Sequence, residues 1–210
     1  TTEEGLAYGL WLTGFNNTLQ KFQKETGIKL QRDNITLKTA AGLMYVNATR
    51  VPGVDIFSPI EFTAAIVECY RQIEAVAKFL RERIPGFENA SIGQIAPVLG
   101  VRETRHIQGE YTLTGEDVIE GRFFEDSIAA DVSALDLHEP RGSDVDFRGM
   151  RPYEIPYRCL VPLGVEQLLV AGRCISADHT AHARSRNMPA CMATGQAAGL
   201  AAAIAIEEKV

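Results

Sequence analysis

Asp178, His179 and His182 stand close together in the chain, with Cys174 and Ser176 just before them. A carboxylate, two imidazoles and a thiol are the ligand types of a zinc site, and histidines three residues apart can share a helix face. The segment reads as a loop, however, where two histidines more often only hydrogen-bond, so no metal is expected. Ser176, His179 and Asp178 also have the residue types of a hydrolytic triad, but the G-x-S-x-G elbow that would present the serine is absent. A second group, Arg102, Glu103, Arg105 and His106, lies in strand-like sequence. Side chains alternate across a regular strand, so Arg102 would not share a face with Arg105. Surface ion pairing is the simpler account of this group. The chemical account gives an arginine (Arg102 or Arg105) that orients an anionic substrate, and His106 as a proton donor.

The C-terminal stretch is the most informative. Leu168–Ala171 is a short apolar run suited to a parallel strand covered on both faces. Gly172 then permits a sharp turn and close approach of a ligand. A helix is expected from about Pro189, rich in Ala and carrying Gly195 and Gly199. Each glycine costs such a helix about 1 kcal/mol relative to alanine. Two of them suggest that a backbone or a flat cofactor packs very close, and the helix N-terminus suits an anionic group. The physics leaves two readings, a cofactor cradle or a tightly packed terminal helix.

Other elements must position these residues. Thr1-Thr2-Glu3-Glu4 has the capping-box pattern, and Leu12, Phe15, Leu19 and Phe22 recur at helical spacing up to Gly27. Ile28–Leu30, Ile35–Lys38 and Leu43–Val51 read as strands of a small antiparallel sheet. Ser58-Pro59-Ile60-Glu61 opens a helix to about Ile84, stopped by Pro85-Gly86, with Phe62, Ile66, Cys69, Ile73, Val76, Leu80 and Ile84 as its apolar stripe. Leu99–Thr114 reads as strand, Thr114–Asp117 as a helix or turn start, and Tyr153–Pro162, bracketed by prolines, as an extended connector.

Composition narrows the function classes. The chain has 210 residues, 46% of them apolar, and a net charge of −6. It needs no disulfide or metal staple to build a core. An acidic chain without a Lys/Arg-rich stretch is not built to neutralise phosphates, which argues against nucleic acid. Four widely spaced cysteines read as reduced thiols in a cytoplasmic protein. The longest apolar run, near Ala197–Ile206, falls short of the ~20 residues that span a bilayer, so no membrane contact is expected. The chain starts without Met inside an apparent helix, which reads as a piece of something longer.

The segments LGVRETRHIQGEYTLTGEDV, IPYRCLVP and LLVAGRCISADHTAHARSRNMPACMATGQAAGLAAA resemble the C-terminal portion of the FAD-dependent oxidoreductase family. The likeness runs from about Pro52 to the end, and the last fifty residues or so are its most specific part. It implies FAD as cofactor and a small molecule as substrate. Gly172 and Arg173 would line the phosphate–ribitol side, with Ser176 as a hydroxyl donor. His182 and Arg186 form an H-x-x-x-R pair that loosely resembles a segment of fumarate reductase-like flavoproteins. Arg186, Asn187 and the N–H groups near Ala190 would face the flavin ring, and Gly195 and Gly199 would let the last helix pack on the cofactor domain. The implied fold is mixed α+β: a small antiparallel sheet with packing helices over 1–165, then a strand–loop–helix of an FAD domain over 166–210.

The dinucleotide fingerprint G-x-G-x-x-G, which the family carries in an N-terminal βαβ unit, occurs nowhere in these residues. The chain is therefore expected to be the substrate-side part of an oxidoreductase, inactive alone and completed by a dinucleotide-binding domain. The alternative is a non-catalytic association module that no longer binds FAD, forming homo-oligomers through the edge of Leu168–Val170. The cofactor reading requires Leu168–Ala171 to pair within a nucleotide-type sheet.

Overall fold

The computed structural model describes residues 11–12, 14–30, 35–40, 43–139, 142–146 and 151–209. They form two compact units that divide after Gly100.

In the first unit, β1 (Trp11–Leu12), β2 (Thr36–Ala40) and β3 (Leu43–Asn47) make an antiparallel sheet in that order. Helix α1 (Asn16–Thr26) ends at Gly27, whose φ of 72° places it in the left-handed region that a side chain disfavours. Helix α2 (Pro59–Arg83) opens as its residues predict: the Ser58 hydroxyl accepts the Glu61 N–H, and Pro59 takes the first turn, where no N–H partner is needed. Leu19, Phe22, Ile35, Leu37 and Phe79 are fully buried at its core. The Phe22 and Phe79 rings meet edge to face at 5.4 Å.

Three expectations for this unit are corrected. Trp11–Leu12 pair as strand, so the first helix starts at Asn16; its expected capping box at Thr1–Glu4 lies outside the described residues. Ile28–Leu30 forms no strand. The buried face of α2 is Ala65, Gln72, Ala75, Val76, Phe79 and Leu80, rotated from the expected stripe. Phe79 sets that rotation by packing on Phe22, and Gln72 tolerates burial because its amide exchanges hydrogen bonds with the Arg50 N–H and C=O.

The second unit is built around β4 (Ser127–Asp131) paired antiparallel with β7 (Tyr153–Pro156), beside a two-stranded sheet of β5 (Leu135–Glu139) and β6 (Gly142–Asp146). Three helices belong to it: α3 (Gly115–Glu120), α4 (His179–Ser185) and α5 (Met188–Glu208). Thr114 and Asp117 close a reciprocal capping box on α3. Leu113, Val118, Tyr153, Ile155, Leu160, Ile175 and Ala181 form the core. Short antiparallel strands with helices confirm the mixed α+β class.

Here too the structure departs from the sequence reading. Residues 99–114 are irregular: their β-type pairing is confined to isolated bridges from Gly109 to Pro162 and from Leu113 to Ala177, beside single backbone bonds such as Ile107 N–H on the Cys174 carbonyl. Tyr153–Pro156 of the expected connector is a strand. The expected loop before Asn187 contains α4. Leu168–Ala171 belongs to no strand; Val170 donates to the Leu160 carbonyl and Leu168 is half exposed. An apolar run forms a parallel strand only beside a neighbouring strand, and none among the described residues lies next to it. The condition set for the cofactor reading is thus not met among the described residues. The 166–210 stretch is also not set apart from what precedes it: Ile107 donates to Cys174 and Ser176 to Cys159 across the expected boundary.

Helix α5 starts next to Pro189 as expected, but it buries only Ala190 and Thr194. Met192 and Leu200 are exposed, and an added Cβ at Gly195 or Gly199 would meet open space. Its average apolarity over 21 residues makes it long and apolar enough to cross a membrane, although no uninterrupted run within it is.

Candidate functional site

Asp178 builds the framework of the site. One carboxylate oxygen accepts the Ala181 N–H at 2.8 Å, capping α4, and the other accepts the Gly115 N–H at 2.8 Å, tying the start of α3 to it. This fixes α4 so that His182, 2% exposed, faces the irregular segment that carries Arg102, Glu103 and His106. Arg173, from the turn at Gly172–Cys174, clamps the same segment by donating to the carbonyls of Val101 and Arg102.

Two clusters result. In the first, Glu103 Oε1 meets His106 Nε2 at 3.0 Å and Glu103 Oε2 meets His179 Nδ1 at 2.6 Å. His106 Nδ1 lies 3.1 Å from the Ile175 carbonyl. A carbonyl only accepts, so Nδ1 carries hydrogen and Nε2 faces the carboxylate. Burial alone would raise the Glu103 carboxyl, but hydrogen bonds from His179 and His106 outweigh it and hold it below the ordinary carboxylate range. The His182 ring meets that of His106 edge-on, 4.7 Å between centroids, and its Nε2 donates to the Arg102 carbonyl at 3.3 Å. Burial pushes the His182 imidazole down, favouring its neutral form.

In the second cluster, Arg102 and Arg186 share one carboxylate. Asp136 Oδ2 accepts from Arg186 at 2.7 Å and from Arg102 at 3.2 Å, and Arg102 also donates to the Asp136 carbonyl. Two guanidinium cations thus face one shared carboxylate. Burial, then the facing Arg186, pull the Arg102 guanidinium down. The Arg186 Nε–H is buried and finds no partner among the described residues. A buried donor without an acceptor costs about 1–3 kcal/mol, which an incoming anion would recover.

The structure thus brings Arg102 and His106, from the group considered for catalysis, together with His182 and Arg186, expected at the cofactor. Arg105 is exposed. Ser176 is fully buried with its hydroxyl on Thr112 at 2.9 Å, so it is engaged inside the fold. Gly172 has φ 81° with open space where a side chain would stand, and its N–H donates to Thr194. Asn187 caps α5 without a side-chain bond to the helix; its amide donates instead to the Arg184 carbonyl, leaving the first-turn N–H groups without a side-chain acceptor. Ala190 is buried in the core and Gly195 faces open space.

Two residues escaped the sequence reading. Asp136 lies far from both arginines in the chain, and no local pattern pairs it with them. Arg184 sits one turn from Thr180 in the H-T-A-H-A-R-S run and looks no different from Arg186 in sequence. It is nonetheless 2% exposed, donating to the carbonyls of Ser133, Val118 and Arg151, with its guanidinium 4.6 Å from the Tyr153 ring centre.

The chain matches the family model described as FAD dependent oxidoreductase over residues 10–210, and it belongs to that family. No similar curated protein and no similar solved structure was found.

Proposed function

We propose, with membership of that family as the premise, that this chain is the substrate-side and C-terminal portion of an FAD-dependent oxidoreductase that positions a small anionic substrate against the flavin. The observation that carries this reading is the buried Nε–H of Arg186, without a partner among the described residues, where two guanidiniums share the Asp136 carboxylate one residue before the cap of α5. These groups fit the ring end of a flavin and a substrate anion. Arg186 and the uncapped first turn of α5 would hold the flavin ring edge, where a helix N-terminus stabilises negative charge. When bound, FAD supplies two-electron oxidation or reduction of the substrate. Arg102, held in place by Asp136, orients the substrate's anionic group.

The pyrophosphate end fits less well. Arg173 is engaged with the Val101 and Arg102 carbonyls, and Ser176 is buried, so neither is turned to a phosphate. A dinucleotide-binding half would supply that end, and the exposed apolar flank of α5 at Met192, Leu200 and Ile204 is where it would dock. FAD titration followed by flavin fluorescence tests the assignment. Saturable binding weakened at least tenfold by Arg186→Ala supports it. Binding that Arg186→Ala leaves unchanged refutes the placement of the ring at α5.

A further inference from the structure

We propose that Glu103, His106 and His182 form a mononuclear site for a divalent transition ion of the zinc class. One donor atom from each of the three lies within 4.8 Å of the other two. Tetrahedral bonds of about 2.0–2.2 Å place zinc ligands roughly 3.4 Å apart, so closure requires shifts on the order of 1 Å. His106 Nε2 and Glu103 Oε1, at 3.0 Å, need only a small displacement.

Each ligand already has the outer partner that a metal site requires. His106 donates its Nδ1–H to the Ile175 carbonyl, which fixes Nε2 as the coordinating nitrogen. His182 donates its Nε2–H to the Arg102 carbonyl, which leaves the lone pair on Nδ1. His179 holds the second oxygen of Glu103. Carboxylates and imidazoles at the metal are oriented by such partners, and their presence on all three residues distinguishes this cluster from a chance meeting of polar side chains. The segment bearing Glu103 and His106 is tied to the one leading into α4 by the Ile107 N–H on the Cys174 carbonyl, 3.1 Å.

The donor set selects among cations. It holds one carboxylate, too few oxygens for calcium or magnesium, which rely on several. Two imidazoles and one carboxylate suit zinc, which keeps a fourth position open with such a set. Coordination needs a free imidazole lone pair on each histidine and an ionised carboxylate, so affinity falls as pH is lowered. None of the three ligands is a group that the flavin reading uses; the two sites share only Arg102, whose carbonyl holds His182 while its guanidinium lies on Asp136.

Zinc titration of the chain in competition with a chromophoric chelator, without flavin, tests the proposal. One equivalent is expected to bind, and cobalt in its place is expected to give the intense visible bands of a tetrahedral ion. Losing an outer partner typically costs 10–100-fold in metal affinity; losing a ligand through His106→Gln is therefore expected to cost at least about 100-fold. Glu103→Gln, close in shape, serves as the second variant should His106→Gln fail to fold, with circular dichroism as the check. Cys174→Ser, which removes an exposed thiol that could take up zinc, is expected to leave affinity unchanged. Absence of stoichiometric zinc, wild-type affinity in the folded ligand variants, or loss in Cys174→Ser alone would each overturn the proposal.

Discussion

Asp178→Ala is expected to destabilise the protein by about 2–3 kcal/mol. The estimate comes from its two bonds. Loss of an aspartate N-cap from α4 costs about 1 kcal/mol. Loss of the acceptor for the Gly115 N–H adds roughly 1–2 kcal/mol. Gly115 is buried, and a Cβ placed on it would come within 2.7 Å of Thr180, so Thr180 packs directly against it and little room remains for a substitute acceptor. For a chain of this size the loss corresponds to a Tm decrease of roughly 4–12 °C. Urea unfolding followed by circular dichroism measures it. Asp178→Ser separates the contributions: serine caps α4 as well as aspartate does but cannot reach Gly115 as a second oxygen, so it is expected to recover about 1 kcal/mol. A loss below about 0.5 kcal/mol in the alanine variant, or full recovery in the serine variant, would refute the view that Asp178 joins the starts of two helices.

Arg184→Met keeps the volume but strands three backbone carbonyls, and a loss of about 3 kcal/mol or more is expected in the same unfolding assay. Burial alone would raise the Asp117 carboxyl, but the Thr114 N–H, Tyr111 and Arg122 hold it below its ordinary value. A depressed folded pKa contributes stability that is complete above the unfolded value of about 3.9 and lost as pH falls through the folded one. Asp117→Asn is therefore expected to flatten stability against pH below about pH 4, and an unchanged acid limb would count against it. Cys159 is fully buried and its thiol is pushed up to about 12 by that burial, whereas Cys174 is exposed. Alkylation at mildly alkaline pH, read by peptide mass spectrometry, is expected to modify Cys174 first and Cys159 only on unfolding.

Much of the local structure was legible because its signals are local. Ser58-Pro59-Ile60-Glu61 and Thr114–Asp117 start helices through bonds that span three residues, and Gly27 ends one through its own backbone freedom. The family, too, was legible from the last fifty residues or so. Periodicity served less well. The stripe read along α2 was rotated by Phe79 finding Phe22, a contact made across the fold. Leu168–Ala171 has the composition of a buried strand, but a strand exists only with a neighbour to accept its hydrogen bonds, and none among the described residues lies beside it.

The candidate site divides in the same way. The sequence by itself determined which chemistry was on offer: Arg102 and His106 in one segment, His182 and Arg186 in another, and a small-residue helix after them. Only the tertiary structure decided that the two segments meet, that Asp136 joins the two arginines, and that Glu103 rather than Asp178 faces the histidines. It also separated Arg184 from Arg186, two residues apart. One is folded inward onto carbonyls; the other has a buried N–H without a partner among the described residues. Charge pairing between residues dozens of positions apart depends on distances that only the folded backbone sets, and no spacing along the chain encodes them.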